Sequence, residues 1–303
     1  MNTYHNNLSI LADPTLSSVI AIETHANGLD FIDIKTSQCE ASICLQGGHL
    51  VNFKPLHDDE IIWLSNAVDF KPGVPIRGGV PVCWPWFGPH ATNNNLPAHG
   101  FARTAFWKLD DAYFEQDALL IRLSLPAAQY PNYWPTSHRV YLEFRLSSWL
   151  QIKLINVNDG GDEVSVSQAL HSYLSVDDIA QTSVKGLVDS HYLDKLNPDA
   201  GLQMQGDDLR VSQEVDRIYQ TGGPFTIVQA NSANIEVTSE NSNSAVVWNP
   251  WVEKSQSLSN FFDTDYLQML CVETANVMDD ALTLKPGESH ELVMTAYRQP
   301  EDG

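Results

Sequence analysis

Positive charge is scarce in this chain. Seventeen Lys and Arg stand against 38 Asp and Glu, a formal net charge of −21 over 303 residues, and such a field repels both a phosphate backbone and an anionic membrane surface. Nucleic-acid and membrane partners are therefore excluded from the expected functions. Cysteine is sparse as well. Cys39, Cys44, Cys83 and Cys271 show no C-x-x-C spacing. Three of them sit in strand-like apolar runs, so buried free thiols in a reducing, cytoplasmic setting are expected, with neither disulfides nor zinc ligands. No apolar run is long enough to span a bilayer, and the first twenty residues lack the basic start and unbroken apolar stretch of an export signal. The ten histidines form neither H-x-H nor H-E-x-x-H, so a metal site is not expected, and no Walker, G-x-S-x-G or dinucleotide-binding pattern falls in a suitable context. Helical periodicity is also missing: no apolar stripe at 3.6-residue spacing extends beyond about two turns.

What is present is strand. Short β-rich runs bounded by turn residues recur along the chain: SVIAIET, FIDIK, ASICL, HLVNFK, EIIWL, ALLIRLSL, RVYLEFRL, LQIKLINV, VSVSQALHSYL, FTIVQ, NIEVT, AVVW, YLQMLCVE, LTL and HELVMTAY. Their number and spacing predict an all-β, mainly antiparallel fold. No linker or low-complexity tract divides them, so residues 1–303 are expected to form one domain. The stretch LTLKPGESHELVMTAY reads as a closing hairpin with Pro286 and Gly287 at its turn.

Acidic residues are abundant overall yet absent from residues 70–109, which contain Lys71, Arg77, Arg103 and Lys108. A locally positive segment in a negative protein suits the admission of an anion. Its other reading is a buried Pro- and Trp-rich loop system from which charge is excluded. Two arginines weaken that reading, because a guanidinium against apolar surface needs its donors satisfied. Gly78 and Gly79 would let backbone approach a ligand, and Trp84, Trp86 and Phe87 would offer a wall for sugar rings.

Alternation in VSVSQALHSYLSV sets Val164, Val166, Leu170, Leu174 and Val176 against Ser165, Ser167, Ala169, His171 and Tyr173, so His171 faces away from the apolar side. In YLQMLCVETANV it aligns Leu267, Met269, Cys271 and Glu273, a carboxylate ending an apolar row, where burial raises its pKa and makes it a usable base. Taken singly, a satisfied histidine and a strand-end glutamate explain these two without catalysis. His99 precedes a glycine in PAHGFAR. Asp216, in EVDRIYQ, suits sugar hydroxyls, a turn cap or a pair with Arg217 alike.

The ordered set IRGGVPVCWPWFGPH, HGFARTAFW, ALHSYLSV, DRIYQ, VVWNPWVEKS, MLCVETANV and LKPGESHEL, over roughly residues 45–295, resembles the aldose 1-epimerase (mutarotase) family, and within it the hexose-6-phosphate mutarotases. The resemblance implies a single-domain β-supersandwich of the galactose mutarotase-like type with an open cleft and no metal or organic cofactor. It implies an isomerase that interconverts the α and β anomers of glucose 6-phosphate and related sugar phosphates; a monomer is expected. It further implies His171 as general acid, Glu273 as general base, Asp216 as holder of sugar hydroxyls, His99 as orienter of the ring, and Arg77 and Arg103 as grips on the 6-phosphate. Two positions depart from the family pattern: Ala98 stands where Gln is common, and Asn260 where Asp is usual. A mutarotase of neutral aldoses and a non-catalytic sugar-binding module are the alternatives the residues leave open.

Overall fold

A computed structural model describes residues 10–299; the ends of the expected 1–303 unit, and the first nine of the twenty residues scanned for an export signal, lie outside the described residues. Among these, no helix is long and apolar enough to cross a membrane. The two short α-helices, Pro14–Ser17 and Trp251–Ser255, match the missing helical stripe.

Among the described residues, strands fall into three larger sheets of four, eight and nine, and a two-stranded ribbon, and every strand pairing is antiparallel. The nine-stranded sheet is built on regular ladders such as His138–Leu146 against Leu150–Asn158, where Leu142 faces Leu154 and Phe144 faces Ile152. Alternate burial along His138–Leu146 shows one face turned inward. Phe144, Leu154 and Met294 of this sheet pack in one cluster with Val247, Leu270 and Val272 of the eight-stranded sheet and Ile43 and Leu50 of the four-stranded sheet. Face-to-face packing of inward rows is what makes a sandwich. At about 25 cal/mol per Å² of apolar surface removed from water, such rows supply the main stabilising term.

The central strand of the eight-stranded sheet, Met269–Asn276, is buried along its whole length. Its even positions Leu270 and Val272 enter the main core. Its odd positions face the other way: Met269 and Cys271 join Trp63, Tyr173 and Phe261, and Ala275 joins Cys83, Ala169, Ile218 and Val246. Glu273 lies between these two apolar clusters, mid-strand and not at a strand end as the sequence suggests; residues 266–268 belong to a 3-10 turn, Asp265–Gln268.

Three other expectations are corrected. EIIWL is no strand: Ile62 makes single bridges to Phe53 on one side and Leu174 on the other, spanning two sheets instead of lengthening either. VSVSQALHSYL is three strands, Val164–Val166, Gln168–Leu170 and Tyr173–Ser175. The first pairs with Leu282–Leu284 in the ribbon; the other two pair with Met269–Asn276 and are separated by a kink at His171–Ser172, where the Ser172 N–H turns back to the Leu170 carbonyl at 2.9 Å. The closing hairpin is absent although its turn is present. The Glu288 N–H donates to the Lys285 carbonyl at 3.0 Å, with Gly287 at φ 80°, but Ser289–Arg298 pairs with Leu150–Asn158 and Ile235–Glu240, in a different sheet from Leu282–Leu284. All four cysteines are buried and unbridged.

Candidate active site

The outward face around Glu273 collects side chains from five segments. The first is the loop Ile76–Gly79. A Cβ at Gly78 would lie 2.7 Å from Leu64 Cα, and one at Gly79 would lie 2.4 Å from both the Leu50 carbonyl oxygen and His49 Nε2. Both glycines have positive φ, 100° and 68°. They are required by close passage of the protein's own backbone, not by a ligand's approach. His49 is fully buried, with Nε2 2.8 Å from the Gly78 carbonyl, and burial pushes its pKa down to about 4. As a neutral donor at neutral pH it fastens the loop that carries Arg77. The Arg77 guanidinium then reaches the Tyr173 hydroxyl at 3.4 Å.

The second segment is His99–Arg103. A Cβ at Gly100 would stand 1.9 Å from the Trp84 carbonyl oxygen, so only glycine permits the turn. His99 has φ 65° and accepts at Nδ1 from the Gly88 N–H at 3.3 Å, leaving Nε2 to carry the ring proton. Burial, then Arg103, Lys195 and Arg77, push its pKa down to about 3. Arg103 Nη2 donates to the Ala98 carbonyl at 2.7 Å, so the position that departs from the family pattern contributes a backbone contact. Asn260, the other departure, sits at φ 55°, a conformation asparagine tolerates better than most residues. Of the four cations in the acid-free segment, Lys71 and Lys108 pair with Asp69 and Asp110. Among the described residues no carboxylate pairs with Arg77 or Arg103. Trp84 and Trp86 do not line a wall; both are core residues, with indole N–H groups on Asn156 and the Pro97 carbonyl. Phe87 alone of the three stays half-buried, with its ring 4.8 Å from that of His99.

The third segment is the kink between Gln168–Leu170 and Tyr173–Ser175. The His171 N–H is held by the Pro81 carbonyl at 3.0 Å, and its ring stacks on Tyr173 at 5.0 Å and meets His99 at 6.1 Å. Nε2 of His171 lies 3.2 Å from Oε1 of Glu273, whose side chain is 1% exposed. His171 Nδ1 and Glu273 Oε2 are buried without a partner. Burial drives Glu273 well above the usual carboxylate range, against a smaller lowering by Lys195. Burial, then His99, drive His171 well below the usual imidazole range, with Arg103 and Arg77 adding to the same effect. Two such groups in contact titrate as one unit that retains a single proton.

The remaining segments are the strand Val215–Tyr219, bearing Asp216, and the end of His191–Asp194, followed by Lys195. Lys195 Nζ lies 2.9 and 2.8 Å from the two Asp216 carboxylate oxygens. The expected alternative partner, Arg217, points to the opposite face, over the Tyr192 ring at 4.5 Å and toward Asp194 at 3.6 Å.

All six residues singled out in the sequence therefore converge. Sequence reasoning missed Lys195 and His49. Lys195 sits in LDKLNPDAG, which reads as a loop, and only the pairing of Leu193 with Ile218 brings it beside Asp216. The one grouping among the described residues with metal-ligand spacing, Glu23, His25 and Asp33, lies on other strands and shares no residue with this site.

The fold is that of the galactose mutarotase-like β-sandwiches. The galactose 1-epimerase of Lactobacillus acidophilus, only 12% identical, covers 92% of this chain and 98% of its own with a TM-score of 0.70, a likeness of fold alone. A solved Salmonella typhimurium structure, provisionally named a mutarotase, is 32% identical and covers 94% of this chain and 95% of its own with a TM-score of 0.85. An Escherichia coli (strain K12) protein provisionally named glucose-6-phosphate 1-epimerase is 36% identical over 266 residues, 86% of this chain and 88% of that one. The aldose 1-epimerase family profile matches residues 30–297. The chain belongs to the aldose 1-epimerase family and is an isomerase.

Proposed function

We propose that this protein interconverts the α and β anomers of glucose 6-phosphate and related hexose 6-phosphates. The observation that carries the reading is the buried His171–Glu273 contact, 3.2 Å long, beside two arginines without carboxylate partners. The names of the Escherichia coli and Salmonella typhimurium relatives support it.

Mutarotation needs one group to take the proton from O1 and another to give one to O5. These two oxygens are bonded to the same carbon, so acid and base must stand close together. Glu273 as carboxylate accepts the O1 proton while His171 as imidazolium donates to O5; the C1–O5 bond breaks and a free aldehyde forms. Rotation about C1–C2 presents the other face, and reclosure runs the two proton transfers backwards. Each positioned acid or base is worth about 10²–10⁴ in rate. Arg77 and Arg103 hold the phosphate dianion through charge-assisted hydrogen bonds, fixing one end of the sugar while the other turns. The same dianion offsets the push of both arginines on His171, which favours the imidazolium form only when a phosphorylated sugar is seated. Asp216 accepts hydrogen bonds from ring hydroxyls, and neutral His99 donates from Nε2 to orient the ring. The four unbridged thiols support a reducing, cytoplasmic compartment.

Anomer exchange measured by NMR magnetisation transfer, with glucose 6-phosphate, glucose and galactose in parallel, tests the reading. Faster exchange confined to the phosphorylated sugar is the expected result. Acceleration of free sugars alone would assign the protein to neutral aldoses, and no acceleration with any sugar would leave a binding module.

A further inference from the structure

Lys195 is held at two points. Its backbone N–H donates to the Asp216 carbonyl at 2.9 Å, extending the ladder with Val215–Tyr219 past the end of His191–Asp194. Its Nζ then meets both carboxylate oxygens of Asp216 and lies 5.7 Å from the centre of the Phe87 ring. The two side chains are 34% and 18% exposed, so the pair stands at the edge of the site with its lysine end open to solvent and its carboxylate end more enclosed.

The surroundings of Glu273 are unbalanced without this lysine. Its own strand contributes Cys271, and the kinked strand beside it contributes His171 and Tyr173. The loops above bring Arg77 and Cys83, then His99 and Arg103. Across two ladder steps Asp216 stands in register with Trp248 and Cys271, one same-face position from Glu273, and it brings Lys195 with it. Asp216 is the one other carboxylate in this set, and both its oxygens are bound to Lys195.

We propose that Lys195 is a positioning residue for the reaction: by clamping Asp216 in a two-point ion pair it keeps that carboxylate from opposing ionisation of Glu273, the proton acceptor. This rests on the role given to Glu273 above. The electrostatics agree in sign, since after burial the two charged groups acting on Glu273 are Lys195, which lowers its proton affinity, and Asp216, which raises it. An exposed ion pair would be worth little and its loss silent. This pair is open to solvent at its lysine end, yet its loss is not silent, because the freed Asp216 charge, on the more enclosed side, then faces Glu273.

The test uses the full chain with ¹³C-labelled glutamate δ-carbons, the Glu273 resonance being assigned by its absence in Glu273→Gln. In Lys195→Met the Glu273 titration moves to higher pH, on the order of one unit. It returns toward the wild-type position in Lys195→Arg and in the double variant Lys195→Met/Asp216→Asn. The acid limb of the kcat profile with glucose 6-phosphate moves in the same direction, because a base with higher proton affinity needs a higher pH to be free. An unmoved Glu273 titration in Lys195→Met, or no return in the double variant, overturns the proposal even if wild-type turnover is normal. A titration that moves as stated in a protein that exchanges no anomers leaves the electrostatic coupling in place and removes the reaction reading.

Discussion

The substitution Glu273→Gln keeps side-chain volume and shape while removing the one group that can give up or take a proton at that position. With the base gone, anomer exchange should fall by about 10²–10⁴. Stability offers a second readout with a defined sign. Unfolded, Glu273 and His171 together hold one proton between the ordinary carboxylate and imidazole ranges and none above about pH 6.5. Folded, the buried pair keeps its proton above that pH, because burial raises Glu273 while His171, its contact, is lowered. The folded state then binds more protons than the unfolded state, so wild-type stability falls with rising pH by about 1.4 kcal/mol per unit until the pair is deprotonated. In Glu273→Gln only His171 titrates, and a lowered histidine gains stability up to about pH 6.5 and is flat beyond it. Above pH 6.5 the variant should therefore gain on wild type by about 1.4 kcal/mol per pH unit, roughly 2 °C in melting temperature per unit, for as long as the pair keeps its proton. Thermal unfolding of both proteins across that range checks this, and the slope is diagnostic because any fixed cost of the amide shifts both ends equally. A difference that stays constant with pH would falsify the shared-proton account of the pair.

Arg77→Ala should raise the KM for glucose 6-phosphate by about 10- to 100-fold, the loss of one charge-assisted bond, and change turnover of any free sugar far less; equal losses reject a phosphate contact. Gly100→Ala forces a Cβ to 1.9 Å from the Trp84 carbonyl and should cost about 3 kcal/mol or more, seen as a lower denaturation midpoint; an unchanged midpoint would mean the HGF turn relaxes freely. Because all four thiols are buried, a thiol reagent should label none rapidly in the native protein and all four in denaturant, and fast native labelling of any one would contradict its burial.

The sequence was most legible where a side chain's face follows from period two. Alternation placed His171 and Tyr173 together and set Glu273 on the row of Met269 and Cys271, and the sheet preserves both groupings. The pairing of Asp216 with Arg217, which the sequence reading leaves open, fails for the same reason, since neighbours in a strand point to opposite faces. Alternation is silent on which strands lie side by side. Lys195 therefore went unnoticed, and LTL and HELVMTAY, which flank a genuine turn, went to different sheets. EIIWL has the composition of a strand, but each of its neighbours meets it only once. The glycines of IRGG signalled tight geometry correctly; the crowding comes from Leu64, Leu50 and His49 and not from a ligand.

The strand Met269–Asn276 separates two kinds of hereditary risk. Changes at Leu270 or Val272 fall on the face that holds the sandwich together and weaken folding, whereas changes at Cys271, Glu273 or Ala275 fall on the opposite face, which carries the candidate site. Residues one apart thus answer to different selective pressures. A lineage, or an engineer, can retune the chemistry through odd-numbered positions while the even-numbered ones stay fixed, and this two-sidedness gives one scaffold room to accommodate new sugars.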